Sequence, residues 1–88
     1  MFYVYVLQAK KEASRFYIGS TRDLKRRFKE HNEGRSTWTR GHEWRLVYYE
    51  AYATASAARK REHVLKLDGR SRRALMDRIK ADLPTDDE

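Results

Sequence analysis

The sequence predicts an α+β fold: a three-stranded, mainly antiparallel sheet with helices packed on it, in the order β-β-α-β-α-α. Three observations predict it. Two runs rich in Tyr, Val and Ile, FYVYVLQ at 2–8 and FYIGS at 16–20, are joined by the polar segment AKKEASR, the pattern of a hairpin with a longer loop. A third such run, RLVYYEAY, follows at 45–52. Three other stretches, one before that run and two after it, carry apolar residues at helical spacing.

The first helix is predicted over 23–32, with N-cap candidates in STRD and a stop at Gly34. Leu24 and Phe28, four residues apart, form its buried stripe. Residues 35–44, RSTWTRGHEW, have no period and read as a loop. Thr54 caps a second helix over roughly 55–67, broken at Asp68-Gly69. Ser71 opens a third, with Leu75, Met76, Ile79 and Leu83 as its apolar face. The domain is expected to span 1–81, and 82–88 to form an acidic, disordered tail. Tyr48, Tyr49 and Tyr52 read as structural strand tyrosines.

With 88 residues and 40% apolar content, the chain has material for one modest core. It has no cysteine, which excludes a disulfide framework and a thiolate metal site and predicts a cytoplasmic setting. No apolar run reaches the roughly 18 residues of a membrane span, and no secretory signal is expected. The charge is lopsided. Four of the 13 acids (Asp82, Asp86, Asp87 and Glu88) fall at the end, so residues 1–81 carry 20 bases against 9 acids, a net +11. Such a body suits a polyanion, above all nucleic acid; the alternative is a solubilising surface.

Several side chains stand out against that background. Arg27 and His31 share a helix face beside the buried stripe, where they could hold a phosphate; the alternative is an ordinary basic helix. Glu62 falls in a stripe with Ala58 and Leu65, and a carboxylate there needs a partner. Either Arg59 or Arg61 pairs with it, or it ligates a hard cation such as Mg²⁺. Tyr5 and Tyr17 lie on neighbouring strands, close enough in sequence to Arg27 for their hydroxyls to meet it. Phenols near a metal and an arginine can bind or activate a water.

Tyr3-Val4-Tyr5, then Tyr17-Ile18-Gly19, then Arg27, His31 and Glu62 in that order resemble the GIY-YIG nuclease superfamily, over roughly residues 2–80. The similarity is greatest to its small, stand-alone, single-domain bacterial branch. The first triplet departs from the pattern, with Tyr3 where the motif has glycine. By this resemblance Tyr5 and Tyr17 are the two site phenols, one of them the general base. Gly19 lets the backbone turn closely into the site, and Arg27 binds the scissile phosphate. His31 assists proton transfer, and Glu62 holds a divalent metal, Mg²⁺ or Mn²⁺. Two further departures are Ser20, where some members have lysine, and the lack of an asparagine beyond Asn32; Asp77 is left unassigned.

The expectation is therefore a divalent-metal-dependent DNA endonuclease, with single-stranded or branched DNA favoured over intact duplex. Arg35, Trp38 and Arg40 are expected to contact nucleic acid, with Trp38 stacking on bases; Trp44 reads better as a core residue. The rivals are a nucleic-acid-binding module with a decayed site and a small protein-interaction domain.

Overall fold

The structure is a computed structural model that describes residues 1–83. Its elements are β1 (Phe2–Ala9), β2 (Phe16–Thr21), α1 (Leu24–Asn32), β3 (Trp44–Tyr52), α2 (Ala55–Leu67) and α3 (Gly69–Asp82). The strands form one antiparallel sheet in the order β2-β1-β3, so the fold class and element order are those the sequence predicts.

The central place of β1 explains why its sequence hardly alternates. Both of its faces are covered, and every residue from Val4 to Ala9 is buried. On one face Val4, Val6 and Ile18 pack against Ala58 and Leu65 of α2 and Leu75 and Ile79 of α3. On the other, Tyr5, Leu7, Ala9 and Trp44 pack with Tyr17, Leu24 and Phe28. The ladder skips Val47: Val6 opposes Tyr48, and Leu7 opposes Leu46. This bulge shifts the alternation of β3 by one residue. Trp44 and Leu46 therefore face α1, and so does Tyr49 beyond the bulge.

The helix ends follow from their caps. Asp23 accepts the amide of Arg26 at 3.1 Å, which starts α1 at Leu24. Gly34, with φ of +76°, donates to the His31 carbonyl and turns the chain away. The start of the third helix differs from expectation. Asp68 ends α2 and also caps α3, taking the Arg70 amide and the Ser71 hydroxyl, so α3 begins at Gly69 rather than Ser71. Its last residue is Asp82; the rest of the expected tail, from 84, lies outside the described residues.

Two polar links fix the segment between α1 and β3. Asn32 bonds both backbone groups of Trp44, accepting from its amide at 2.7 Å and donating to its carbonyl at 3.2 Å. The Trp44 indole donates to the Thr39 carbonyl at 2.9 Å. Trp44 is thus a core residue, 2% exposed, as its position at the head of the strand suggested.

Candidate functional site

The register of β1 on β2 brings the aromatic residues together. Tyr5 pairs with Gly19 and Leu7 with Tyr17, so the two phenols sit diagonally on the α1 face, ring centroids 6.4 Å apart. His31, in the last turn of α1, completes the cluster at 5.7 Å from the Tyr5 ring and 4.9 Å from the Tyr17 ring. Gly19 serves this packing and not a turn: it lies within β2 without a positive φ. A Cβ there would fall 2.5 Å from the Tyr5 hydroxyl and 2.7 Å from its ring. Only the missing side chain lets Tyr5 lie across the strand.

The hydrogen bonds around His31 define its tautomer. The Thr39 hydroxyl donates to the Ser36 carbonyl, which leaves its oxygen to accept from His31 Nδ1 at 2.8 Å. Nε2 is then the acceptor for the Tyr5 hydroxyl, at 2.6 Å. Arg27 lies near enough for its charge to act on the Tyr5 phenol. Burial and then the charge of Arg27 pull His31 down to about 4, so the ring is neutral at pH 7. Burial, with Tyr17 beside it, pushes the Tyr5 phenol well above the ordinary tyrosine range, against the pull of Arg27. Arg27 loses solvation, but its bond to Glu30 (3.2 Å) and the neighbouring Tyr5 phenol more than offset this, and it stays charged.

Glu62 approaches from the opposite side of the sheet, on α2. Its Oε1 accepts from the Ser20 hydroxyl at 2.5 Å and its Oε2 from Lys66 Nζ at 2.7 Å. The expected partners were Arg59 or Arg61. Arg61 is instead engaged elsewhere, in a fork on Glu50 at 2.9 and 3.0 Å, with the Tyr48 and Tyr52 hydroxyls on the same carboxylate. Burial would raise Glu62, yet Lys66 and Ser20 hold it below the usual carboxylate range, so it is ionised. Its charge is felt at the Tyr5 phenol. Lys66, absent from the sequence-based expectation, also sits 5.6 Å over the Tyr17 ring, joining the carboxylate to the phenol around the free edge of β2. Its i,i+4 spacing from Glu62 was the available signal. Ser20, which stood out as a departure, orients the carboxylate.

Among the described residues no three His, Asp or Glu side chains gather to cage a metal. The chemistry of the donor set still fits one kind of ion. Each Glu62 oxygen makes one bond and keeps lone-pair capacity, and Mg²⁺ is commonly held by one carboxylate, waters and substrate phosphate.

The expected nucleic-acid contacts lie in the segment after α1. Trp38 is 83% exposed. Arg35 is exposed and pairs loosely with Glu33 at 3.8 Å, while Arg40 donates to the Gly34 carbonyl. Asp77 lines a separate groove with Phe16, Ile18, Arg70 and Arg73.

A three-stranded sheet with paired phenols, an arginine from the following helix and one carboxylate from the next is the arrangement of a nuclease-type domain. The chain belongs to the GIY-YIG family: the model of the GIY-YIG catalytic domain matches residues 1–75, and domains of this family are endonucleases. It is 42% identical over 66 residues to a UPF0213 protein of Haloquadratum walsbyi, covering 73% of this chain and 72% of that protein. A UPF0213 protein of Clostridium perfringens is 40% identical over 68 residues, covering 75% and 71%. The solution NMR structure of a UPF0213 protein from Bacillus halodurans superposes with a TM-score of 0.52 at 34% identity, over 88% of this chain and 84% of that one. No helix among the described residues is long and apolar enough to cross a membrane.

Proposed function

We propose that the protein is a divalent-cation-dependent endonuclease that hydrolyses phosphodiester bonds of DNA, with single-stranded or flexible DNA as the favoured form. The observation that carries this reading is the cluster of Tyr5, Tyr17 and His31 on the α1 face beside Arg27, with the ionised Glu62 reaching it around β2 through Lys66. Arg27 offers its remaining donors to the scissile phosphate and to the charge that grows on it. Tyr5 is 1% exposed, with its hydroxyl bound to His31, so it packs the site and is closed to an attacking water. Tyr17 is the phenol that solvent reaches, and it is the group placed to take the proton of the attacking water. Neutral His31, anchored by Thr39, holds the Tyr5 proton. Glu62 would ligate Mg²⁺ or Mn²⁺, and the cation would supply positive charge at the leaving oxygen. The exposed Trp38, near Arg35 and Arg40, favours unpaired bases through stacking.

The Glu62–Lys66 ion pair favours one second reading, a nucleic-acid-binding module in which lysine has replaced the metal. Cleavage of a labelled single strand, with Mn²⁺ binding measured by calorimetry, separates the two. The wild type should bind Mn²⁺ and cut; Glu62→Gln should lose both and keep DNA affinity within a few-fold. A wild type that binds DNA but neither binds Mn²⁺ nor cuts would establish the module.

A further inference from the structure

Beside the site, the sheet carries an aromatic surface that phosphodiester chemistry leaves unused. Tyr49 sits on the edge strand β3, directly opposite Tyr5 in the ladder, and faces the same side. The sequence pattern marks it as a structural strand tyrosine like its neighbours, and the structure does not bear that out. Tyr48 and Tyr52 turn to the other face and bind Glu50, whereas Tyr49 is 55% exposed. Its one aromatic support is Tyr3, edge-on at 5.9 Å and 70°. Tyr3 is the residue that stands where the family motif has glycine, and a glycine would leave Tyr49 without that support.

These two rings form one wall of a cleft of about 730 Å³, whose other wall is Thr21 to Arg26. That volume lies within the range of pockets that hold small organic groups. Its rim is cationic. Lys25 has no ion-pair partner among the described residues, and Arg26 reaches Glu30 only at 3.8 Å, whereas Arg22 turns its guanidinium over the Phe2 ring on the α2 face. The one acid in the lining, Asp23, already accepts the Arg26 amide as the helix cap. A flat, half-exposed π-face ringed by cations is complementary to a base on a phosphate backbone. The cleft also adjoins the site along β1. Tyr3 and Tyr5 are alternate residues of one strand face, about 7 Å apart, and Tyr5 bonds His31. An extended nucleotide bridges that span.

We propose that the Tyr3–Tyr49 cleft is a nucleobase subsite, where the base next to the scissile phosphate stacks on Tyr49. The proposal rests on the nuclease reading and adds to it the group that is gripped. Stacking on a ring is indifferent to base identity, so the subsite selects unpaired bases over a sequence.

The test uses fluorescence anisotropy with chelator present, so that nothing is cut. Two labelled probes are compared: a short oligodeoxythymidylate, and an all-abasic oligomer of the same length and charge. The wild type should prefer the base-bearing probe by at least about fivefold, the lower end for stacking of one base. Tyr49→Ala should remove about that factor for the base-bearing probe and leave the abasic affinity unchanged. Tyr49→Phe, which keeps the ring, should retain the preference. If Tyr49→Ala weakens both probes equally, or neither, the subsite is refuted while the nuclease reading stands. A wild type that binds neither probe overturns both.

Discussion

At the scale of single residues, the site depends on one missing methyl group and one neutral ring. A Cβ at Gly19 would meet Tyr5, which is pinned by His31 and cannot easily yield. Gly19→Ala should therefore destabilise the fold by about 1–3 kcal/mol and displace the Tyr5 hydroxyl from His31. Urea denaturation and the His31 ring chemical shifts would show both; an unchanged midpoint refutes the steric account. The His31 pKa is lowered on folding from 6.5 to about 4, so the native state binds fewer protons than the unfolded chain between those values. Stability from this group is complete above about pH 6.5 and is lost as the pH falls toward 4. Between pH 6.5 and about 5.5, carboxylates are largely ionised in both states, and most of the slope belongs to His31. It should approach about 1.4 kcal/mol per pH unit, and His31→Gln should flatten it. Much of this cluster can be read from the sequence, because the Tyr5, Tyr17, Arg27 and His31 spacings are local to two strands and a helix. The partner of Glu62 is not, since four cations (Arg59, Lys60, Arg61 and Lys66) lie within about one turn of it. Which of them reaches it depends on Glu50, a residue on another element that draws Arg61 away.

At the scale of elements, the strands and the first two helices follow from periodicity, and the boundaries that differ do so because of capping competition. Asp68 outcompetes Ser71 because its carboxylate takes both the Arg70 amide and the Ser71 hydroxyl. The segment 33–43 has no period to read, yet it is not an open loop: Ser36 and Thr39 are buried. Asn32 is what makes it so, acting as a one-residue strand partner for the backbone of Trp44. Asn32→Ala leaves that amide and carbonyl without partners, at a cost of about 1–3 kcal/mol. The larger effect should be on the segment itself, which holds Thr39 against His31 Nδ1. Backbone amides from Ser36 to Arg40 should exchange with solvent faster in Asn32→Ala, while those of β1 stay protected. Equal acceleration throughout would mean that Asn32 contributes only to global stability.

Across the whole molecule, charge and shape divide the work. The sheet spends both faces on packing, one against α2 and α3 and the other against α1. The bases are spread over the helices that cover it. Only seven ion pairs form among the described residues, and Arg22, Lys25, Lys29, Arg70 and Arg73 are in none of them. A surface so rich in uncompensated cations should bind nucleic acid chiefly by releasing its counterions. For a single strand the slope of log K against log salt is about −0.7 per phosphate neutralised. A footprint of about six phosphates then gives a slope near −4, or a loss of roughly two to three orders of magnitude in affinity from 50 to 200 mM salt. Anisotropy titrations over that range measure it. Lys25→Ala with Arg26→Ala, on the rim of the Tyr3–Tyr49 cleft, should flatten the slope by about 1.4 if both cations lie in the footprint. A flat dependence in the wild type would instead mean that the positive charge serves solubility, and that a protein partner is the better candidate for this surface.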